Sequence, residues 1–243
     1  MLSKLNGIIL GHIPYSENSI ILKCYTDALG MQSYMVNSIK GKKSAIKPSQ
    51  LMPLTLVELE VSFKQGKGLQ RIKELKVAPM LNELHFKIEK SAIAMFMAEL
   101  LGKCLREEQQ TDKDLFDFLT ASIQILDLTQ TAIANFPMVF MYQLSKYLGF
   151  YPKPNFSIET PNFSLMEGLY VAKSNFGSDH IEMPMSEKLF NLGQINYQEM
   201  GKLSLTSQER RQLLTYFTRY YQLHVMLFGD LKSPAVLHEV LNT

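Results

Sequence analysis

Apolar and polar residues alternate in short runs along the first eighty residues, and this pattern predicts β-strands. Residues 57–63 alternate strictly, as a strand with one buried face does. Gly30 precedes another such run and closes a short turn where a positive φ is easiest for glycine. The five predicted strands cover residues 7–10, 19–26, 31–37, 57–63 and 69–77.

Five short antiparallel strands within about 75 residues would leave unpaired edges if they formed an open sheet. Closing them into a barrel removes those edges. The sequence therefore predicts a five-stranded oligonucleotide-binding (OB) barrel. An SH3-like barrel is the competing closure, and the number of strands does not distinguish the two.

After residue 79 the spacing of apolar residues changes to the helical period. The first predicted helix runs to about Arg106. Thr111 is expected to cap a second helix because Asp114 follows three residues later, and a third starts near Asn135. The inward face of the first helix is predicted to consist of Leu84, Ile88, Ala92, Met95, Phe96 and Leu100.

Residues 150–185 interrupt the helical pattern with prolines and glycines, which allow turns and short strands such as 169–172. The helical period resumes near Ser186, and Thr206 with Glu209 predicts a capping box at the start of a further helix. We therefore expect an α+β protein. The predicted domains are an OB-fold domain, residues 1–79, and an α-helical domain, residues 80–243, which contains the insertion at 150–185.

The charge of the chain is unevenly distributed. Residues 1–79 carry eleven Lys and Arg against five Asp and Glu, whereas the remainder carries fourteen against eighteen. A basic module joined to a mildly acidic one is typical of a nucleic-acid-binding domain with a separate interaction domain.

Lysines concentrate in the loop between the third and fourth strands, residues 39–48. A solvated charged loop is the simpler interpretation, but its place on a basic barrel favours contact with phosphates. The predicted DNA-binding residues are Lys40, Lys42, Lys43, Lys47, Lys64, Lys67, Arg71 and Lys73. The aromatic residues that could stack on bases are Tyr15, Tyr25, Tyr34 and Phe63, about half of which should point into the barrel.

Motifs for catalysis and metal binding are missing from the sequence. Gly41 and Lys42 do not belong to a phosphate-binding loop, because Val36 and Lys43 occupy positions that would need Gly and Ser or Thr. Cys24 and Cys104 are too far apart for a thiolate zinc site and are expected to be buried. We therefore predict no catalytic residues, no enzymatic activity and, from the lack of a signal sequence, a cytoplasmic, nucleoid-associated protein.

The chain resembles the bacterial RecO family of DNA repair proteins along nearly its full length. The resemblance rests on several segments in the family's order. They are residues 7–10, the turn at 15–18, Gly30, the basic loop at 40–44, the strand at 53–59, the pattern from Phe140 through Gly149 to Pro152, and residues 231–233.

This resemblance implies an OB-fold domain followed by a helical bundle. It also implies binding to single- and double-stranded DNA, annealing of complementary strands, and an interaction with the acidic C-terminal tail of the single-strand-binding protein. RecR would then act as a partner in loading RecA onto coated strands. Many members carry a zinc-ribbon insertion, but residues 150–185 contain no cysteine, so we expect no metal and a packed insertion stabilised by Phe156, Phe163, Tyr170 and Phe176.

Lys103 and Arg106, near the end of the first predicted helix, are candidates for receiving an acidic tail, although favourable placement at a helix C-terminus is the favoured explanation for each residue taken individually. Two other functions stay open. The barrel could be a protein-binding adaptor, or the chain could be an enzyme such as a nuclease whose site is assembled from distant residues.

Overall fold

The computed structural model describes residues 2–37, 46–62, 69–107, 111–172 and 179–241. The chain divides into two compact units, residues 1–128 and 129–243. Within the described residues, the first unit contains a β-barrel and two helices, and the second contains four α-helices and a small sheet.

The first unit is built around five strands that lie close to the predicted ones. They are β1 (Leu2–Ser16), β2 (Ser19–Thr26), β3 (Gly30–Asn37), β4 (Leu56–Ser62) and β5 (Gln70–Val77). The strands close in the order β1-β2-β3-β5-β4, and β4 pairs with β1. β3 and β5 pair in parallel through Tyr34–Gln70 and Met35–Arg71. This closure is that of the OB fold rather than an SH3-like barrel, and the predicted fold class is confirmed.

The alternation of residue types in the strands follows from the barrel interior. In β4, Val57, Leu59 and Val61 are buried, whereas Glu58 between them is exposed. Cys24 is fully buried in the same core, and burial raises the pKa of its thiol. The expectation that the cysteines are packed apolar groups is confirmed for both.

Two helices complete the first unit, α1 (Ile88–Cys104) and α2 (Lys113–Leu128). The segment that leads into α1 is fixed by Asp127 of α2. Its carboxylate accepts hydrogen bonds from the backbone N–H groups of Asn82, Glu83 and Leu84 at 2.7–2.9 Å. The buried Lys90 donates to the Glu83 carboxylate and to the Asp127 carbonyl, each at 2.6 Å. Burial by itself raises the pKa of Asp127, but these N–H donors and Lys90 outweigh it and lower the pKa.

Two details of the predicted helices are wrong. Ile88 and Met95, expected to face inward, are 68% and 52% exposed. Because α1 is buried around most of its circumference, its apolar residues do not define a single face. α2 is capped by Asp112 rather than Thr111, since the Asp112 carboxylate accepts the Leu115 N–H at 3.0 Å.

The second unit combines helices with the irregular segment. Its elements are α3 (Phe136–Tyr147), β6 (Asn162–Ser164), β7 (Leu169–Val171), β8 (His180–Ile181), α4 (Met185–Gly193), α5 (Ser207–His224) and α6 (Ser233–Leu241). The predicted capping box of α5 is present: the Glu209 N–H donates to the Thr206 hydroxyl at 3.2 Å, and the Thr206 N–H donates to the Glu209 carboxylate at 2.8 Å.

The insertion folds as a three-stranded antiparallel sheet in the order β7-β6-β8. Phe156 and Phe163 pack against Tyr170, with ring centroids 5.4 and 5.0 Å apart. The Asn155 side chain donates to the Tyr170 carbonyl at 2.8 Å and accepts the Tyr170 N–H at 2.9 Å, so it pairs with β7 as a strand would. The predicted contributions of Phe156, Phe163 and Tyr170 to packing are confirmed, and Phe176 lies outside the described residues.

The barrel ends at Val77, close to the predicted limit at residue 79. The first compact unit extends beyond it to Leu128, because α1 and α2 pack with the barrel. In the described part of the chain, no helix is long and apolar enough to cross a membrane.

Candidate nucleic-acid interface

The structure describes three of the eight predicted DNA-binding residues, Lys47, Arg71 and Lys73. Lys47 is exposed directly before the 3₁₀ turn Pro48–Leu51, and its backbone N–H donates to the Gln50 side chain at 2.7 Å. The remaining loop lysines lie outside the described residues, so their assignment to DNA stays a prediction. They are Lys40, Lys42, Lys43, Lys64 and Lys67.

Arg71 and Lys73 are both exposed on β5, but Lys73 has a carboxylate beside it whereas Arg71 lies opposite Met35 on β3. Lys73 Nζ lies 3.2 Å from Glu60 Oε1 on β4, and Lys76 Nζ lies 3.7 Å from Glu58 Oε2. The outer surface of β4 and β5 is therefore a balanced arrangement of opposite charges. Such a surface attracts phosphates weakly, because carboxylates already neutralise its lysines.

The outer surface of β2 and β3 differs in charge, since neither strand contains an acidic residue. Lys23 lies on the outward side of β2, opposite Ser33 on β3. Ile21 lies two residues before Lys23 on β2 and belongs to a row of paired residues that runs across four neighbouring strands. The row consists of Ile13, Ile21, Met35 and Arg71. This combination of apolar and cationic side chains is what a surface that binds single strands needs. OB barrels bind oligonucleotides on this face.

One end of this face is closed by the helical part of the same unit. Tyr25 is 4% exposed, and its hydroxyl donates to the Asp112 carbonyl at 3.4 Å. The Ser33 hydroxyl donates to the Glu107 carboxylate. The open part of the face therefore lies toward the β1–β2 hairpin. We call the outward residues Ile21, Lys23, Met35 and Arg71 the open face.

The structure also separates the four aromatic candidates. Tyr25 and Tyr34 are buried, and burial raises the pKa of both hydroxyls. Phe63 lies outside the described residues. Tyr15, in contrast, is 60% exposed at the end of β1. Of the described candidates, Tyr15 is therefore the one accessible to a base.

Lys103 and Arg106, the predicted partner-binding residues, lie at the C-terminal end of α1 and just after it. Both are partly buried. Positive charge is favourable at this position because of the helix dipole, and their proposed contact with an acidic tail stays a prediction.

A second candidate site lies wholly within the second unit. A groove of about 820 Å³ runs between the start of α3, α5 and α6. Its apolar lining includes Pro137, Met138, Leu214, Leu231, Ala235 and Leu237.

The arginines beside this groove differ in their partners. Arg219 forms a two-point contact with Asp179, at 2.7 and 2.9 Å. Arg210 donates to the Leu205 carbonyl and the Ser207 hydroxyl, and Arg211 lies 3.5 Å from a His238 ring nitrogen. Among the described residues, no carboxylate therefore contacts Arg210 or Arg211. Two carboxylates also line the groove, Asp179, which is paired with Arg219, and the exposed Glu239.

The zinc ribbon that the family resemblance implies would need cysteine ligands within the insertion. Residues 150–185 contain no cysteine, and Cys24 and Cys104 are buried in the first unit with raised pKa values. Zinc binding requires thiolates or imidazoles at suitable spacing. In the described residues, no cluster of three His, Cys, Asp or Glu side chains could hold a metal ion.

A closed OB barrel with Lys23 on β2 and Arg71 on β5 at its outer surface places the first unit in the OB-fold class, whose members bind oligonucleotides and oligosaccharides. Two family models match the chain: the N-terminal region of recombination protein O over residues 1–80, and its C-terminal region over residues 85–234.

Curated relatives agree over the full length. A DNA repair protein RecO from Azobacteroides pseudotrichonymphae is 35% identical over 243 residues, 100% of both chains. One from Bacteroides fragilis is 33% identical over the same span of both chains. One from Flavobacterium psychrophilum is 34% identical over 242 residues, 98% of this chain and 99% of the relative. The chain therefore belongs to the RecO family, which acts in DNA repair and recombination.

Proposed function

We propose that the chain is a recombination mediator without a chemical step. In this proposal it binds single- and double-stranded DNA, anneals complementary strands, and acts with RecR to load RecA onto strands coated with single-strand-binding protein. The observation that carries the proposal is the open face, where Lys23 and Arg71 accompany apolar residues on a surface to which β2 and β3 contribute no carboxylate.

Such a face suits annealing because it binds a strand without selecting a sequence. Lys23 and Arg71 neutralise phosphates, and the half-buried Ile21 and Met35 offer apolar contact that any base tolerates. Neutralising phosphates on two strands also lowers the repulsion that opposes their pairing. The mediator then needs no nucleotide, no metal and no catalytic residue.

We also propose that the groove beside α5 and α6 receives the acidic C-terminal tail of the single-strand-binding protein. The groove has an apolar lining, and Arg210 and Arg211 beside it would pair with the tail's carboxylates. A charged hydrogen bond in a partly enclosed groove is stronger than one on an open surface. This site is an alternative to Lys103 and Arg106 for the same ligand.

The proposed function is tested by annealing of complementary strands coated with single-strand-binding protein, without nucleotide and with a chelator present. We expect annealing by the wild-type protein and a reduced rate for the double variant Lys23→Gln, Arg71→Gln. Lys76→Gln, which removes a cation already paired with Glu58, should anneal at the wild-type rate. A wild-type protein that fails to anneal, and that releases DNA near physiological salt, would support the adaptor function instead.

A further inference from the structure

The β1–β2 hairpin extends beyond the closed barrel. β1 pairs with β4 only from Leu2 to Ile8, whereas its pairing with β2 continues to Ser16. From Gly11 onward, the described strands give β1 a partner on one side only. At this end of the hairpin β1 is therefore an edge strand beside the open face, whereas β2 continues to pair with β3, and we call residues 11–20 the ribbon.

This ribbon carries apolar side chains in solvent. Residues 12–15 are all exposed, and Ile13 and Tyr15 are 49% and 60% exposed. Contiguous exposed apolar patches mark binding sites more often than singly exposed apolar residues do. Ile13 also begins the row that continues through Ile21 and Met35 to Arg71.

A β-bulge sets Tyr15 apart from its neighbours. Pro14 pairs with Ile20 and Ser16 with Ser19, which leaves Tyr15 as the extra residue between them. A bulge leaves its extra residue unpaired and redirects side chains locally. Tyr15 therefore has no cross-strand partner in the register, and its ring is accessible at the ribbon's end.

We propose that Tyr15 is a base-stacking residue and that the ribbon with Ile13 binds unpaired bases of a single strand whose phosphates contact Lys23 and Arg71. This inference rests on the proposed DNA binding and adds to it a means of selecting single strands. The cations Lys23 and Arg71 beside the row favour a nucleic acid over an apolar peptide as the occupant. β2 and β3 contain no acidic residue, and the carboxylates of Glu17, in the β1–β2 turn, and Glu107, at Ser33, lie at the two ends of this surface.

Stacking and phosphate neutralisation can be told apart by salt. Stacking is a non-ionic contact worth roughly a 5- to 100-fold change in affinity per base. Removing it lowers affinity without changing the salt dependence. Bases inside a duplex are already stacked on one another, so the effect should be far smaller for double-stranded DNA.

The test measures the affinity of the full-length protein for an oligonucleotide, single- or double-stranded, over a range of salt concentrations. We expect Tyr15→Ala to weaken single-strand binding roughly 5- to 100-fold with an unchanged log–log salt slope, and Tyr15→Phe to keep wild-type affinity. Phe86→Ala, at an 82% exposed aromatic residue of the same unit, is the matched control and should bind as wild type.

A second readout uses the absence of tryptophan from the chain. Tyr15→Trp introduces a sole tryptophan whose fluorescence should be quenched saturably by a single strand, whereas Tyr151→Trp in the second unit should show no quenching. The inference is overturned if Tyr15→Ala binds as wild type, or if its weaker binding comes with a shallower salt slope. A wild-type protein that binds no DNA would instead reject the proposed function.

Discussion

Met35 on β3 lies directly opposite Arg71 on β5, in the parallel pairing that closes the barrel. This pairing places a cation at the end of an apolar row that starts on β1. Because Lys23 lies on the outward side of the neighbouring strand, barrel closure assembles the open face from residues far apart in the chain. The proposed DNA-binding face thus depends on topology rather than on a local motif.

The basic loop should add to binding by this face. Replacing Lys40, Lys42, Lys43 and Lys47 by glutamate is expected to weaken single-strand binding and to flatten the salt slope by about three, since each neutralised phosphate contributes roughly 0.7. Measuring affinity from low to physiological salt checks this. If the slope stayed at the wild-type value, the loop would not contact DNA.

Asp127 should contribute strongly to stability. Asp127→Asn weakens three hydrogen bonds to a carboxylate, so we expect the free energy of unfolding at pH 7 to fall by about 1.5–3 kcal/mol. Because its folded pKa is lowered, this contribution is complete above the pKa of an unfolded aspartate, about 3.9, and is lost as pH falls through the folded pKa.

Urea unfolding at pH 7 and at decreasing pH measures this difference. Asp117→Asn, at an exposed aspartate of the same helix, is the control and should change stability little. An Asp127→Asn protein as stable as wild type at pH 7 would show that these hydrogen bonds are not important for the fold.

The insertion should be stable without metal. Phe163 is 1% exposed, and Phe163→Ala should lower the free energy of unfolding by about 3–5 kcal/mol, whereas Ile158→Ala at a 93% exposed position should have little effect. Adding a chelator should leave the wild-type Tm unchanged. A Tm that falls with chelator and recovers with zinc would contradict a metal-free insertion.

We have proposed two alternative sites for the acidic tail of the single-strand-binding protein. We expect Arg210→Gln and Arg211→Gln each to weaken binding of a tail peptide roughly 10-fold or more, since a charged hydrogen bond contributes about 1.5–3 kcal/mol. Titration of the same peptide against Lys103→Ala and Arg106→Ala distinguishes the two sites, because both variants should keep wild-type affinity if the groove is the site. Lys202→Gln, at an exposed cation paired with Glu199, is the control.

Much of the fold could be predicted because local patterns were strong. Strict alternation identified β4, and the Thr206–Glu209 pair identified the start of α5. α1 was harder to predict, because a helix buried on most sides has apolar residues all round, and its exposed large apolar residues Ile88 and Met95 look like core in the sequence.

The binding face was only partly predictable. Clustered lysines stand out in a sequence, whereas Lys23 is a single cation inside an apolar strand. The outward position of Lys23 follows from the two-residue period of a strand. Its place on the same face as Arg71 follows only from the pairing of β3 with β5. Likewise, the sequence could not show which tyrosine is accessible, because every residue from 12 to 18 is exposed and alternation does not apply there.

The central claim is that the open face binds DNA, and the salt dependence of single-strand affinity tests it most directly. For the double variant Lys23→Gln, Arg71→Gln we predict weaker binding and a log–log slope shallower than wild type by about 1.4, because two phosphates are no longer neutralised. Lys76→Gln should keep the wild-type slope. A folded double variant with the wild-type slope and affinity would contradict the claim.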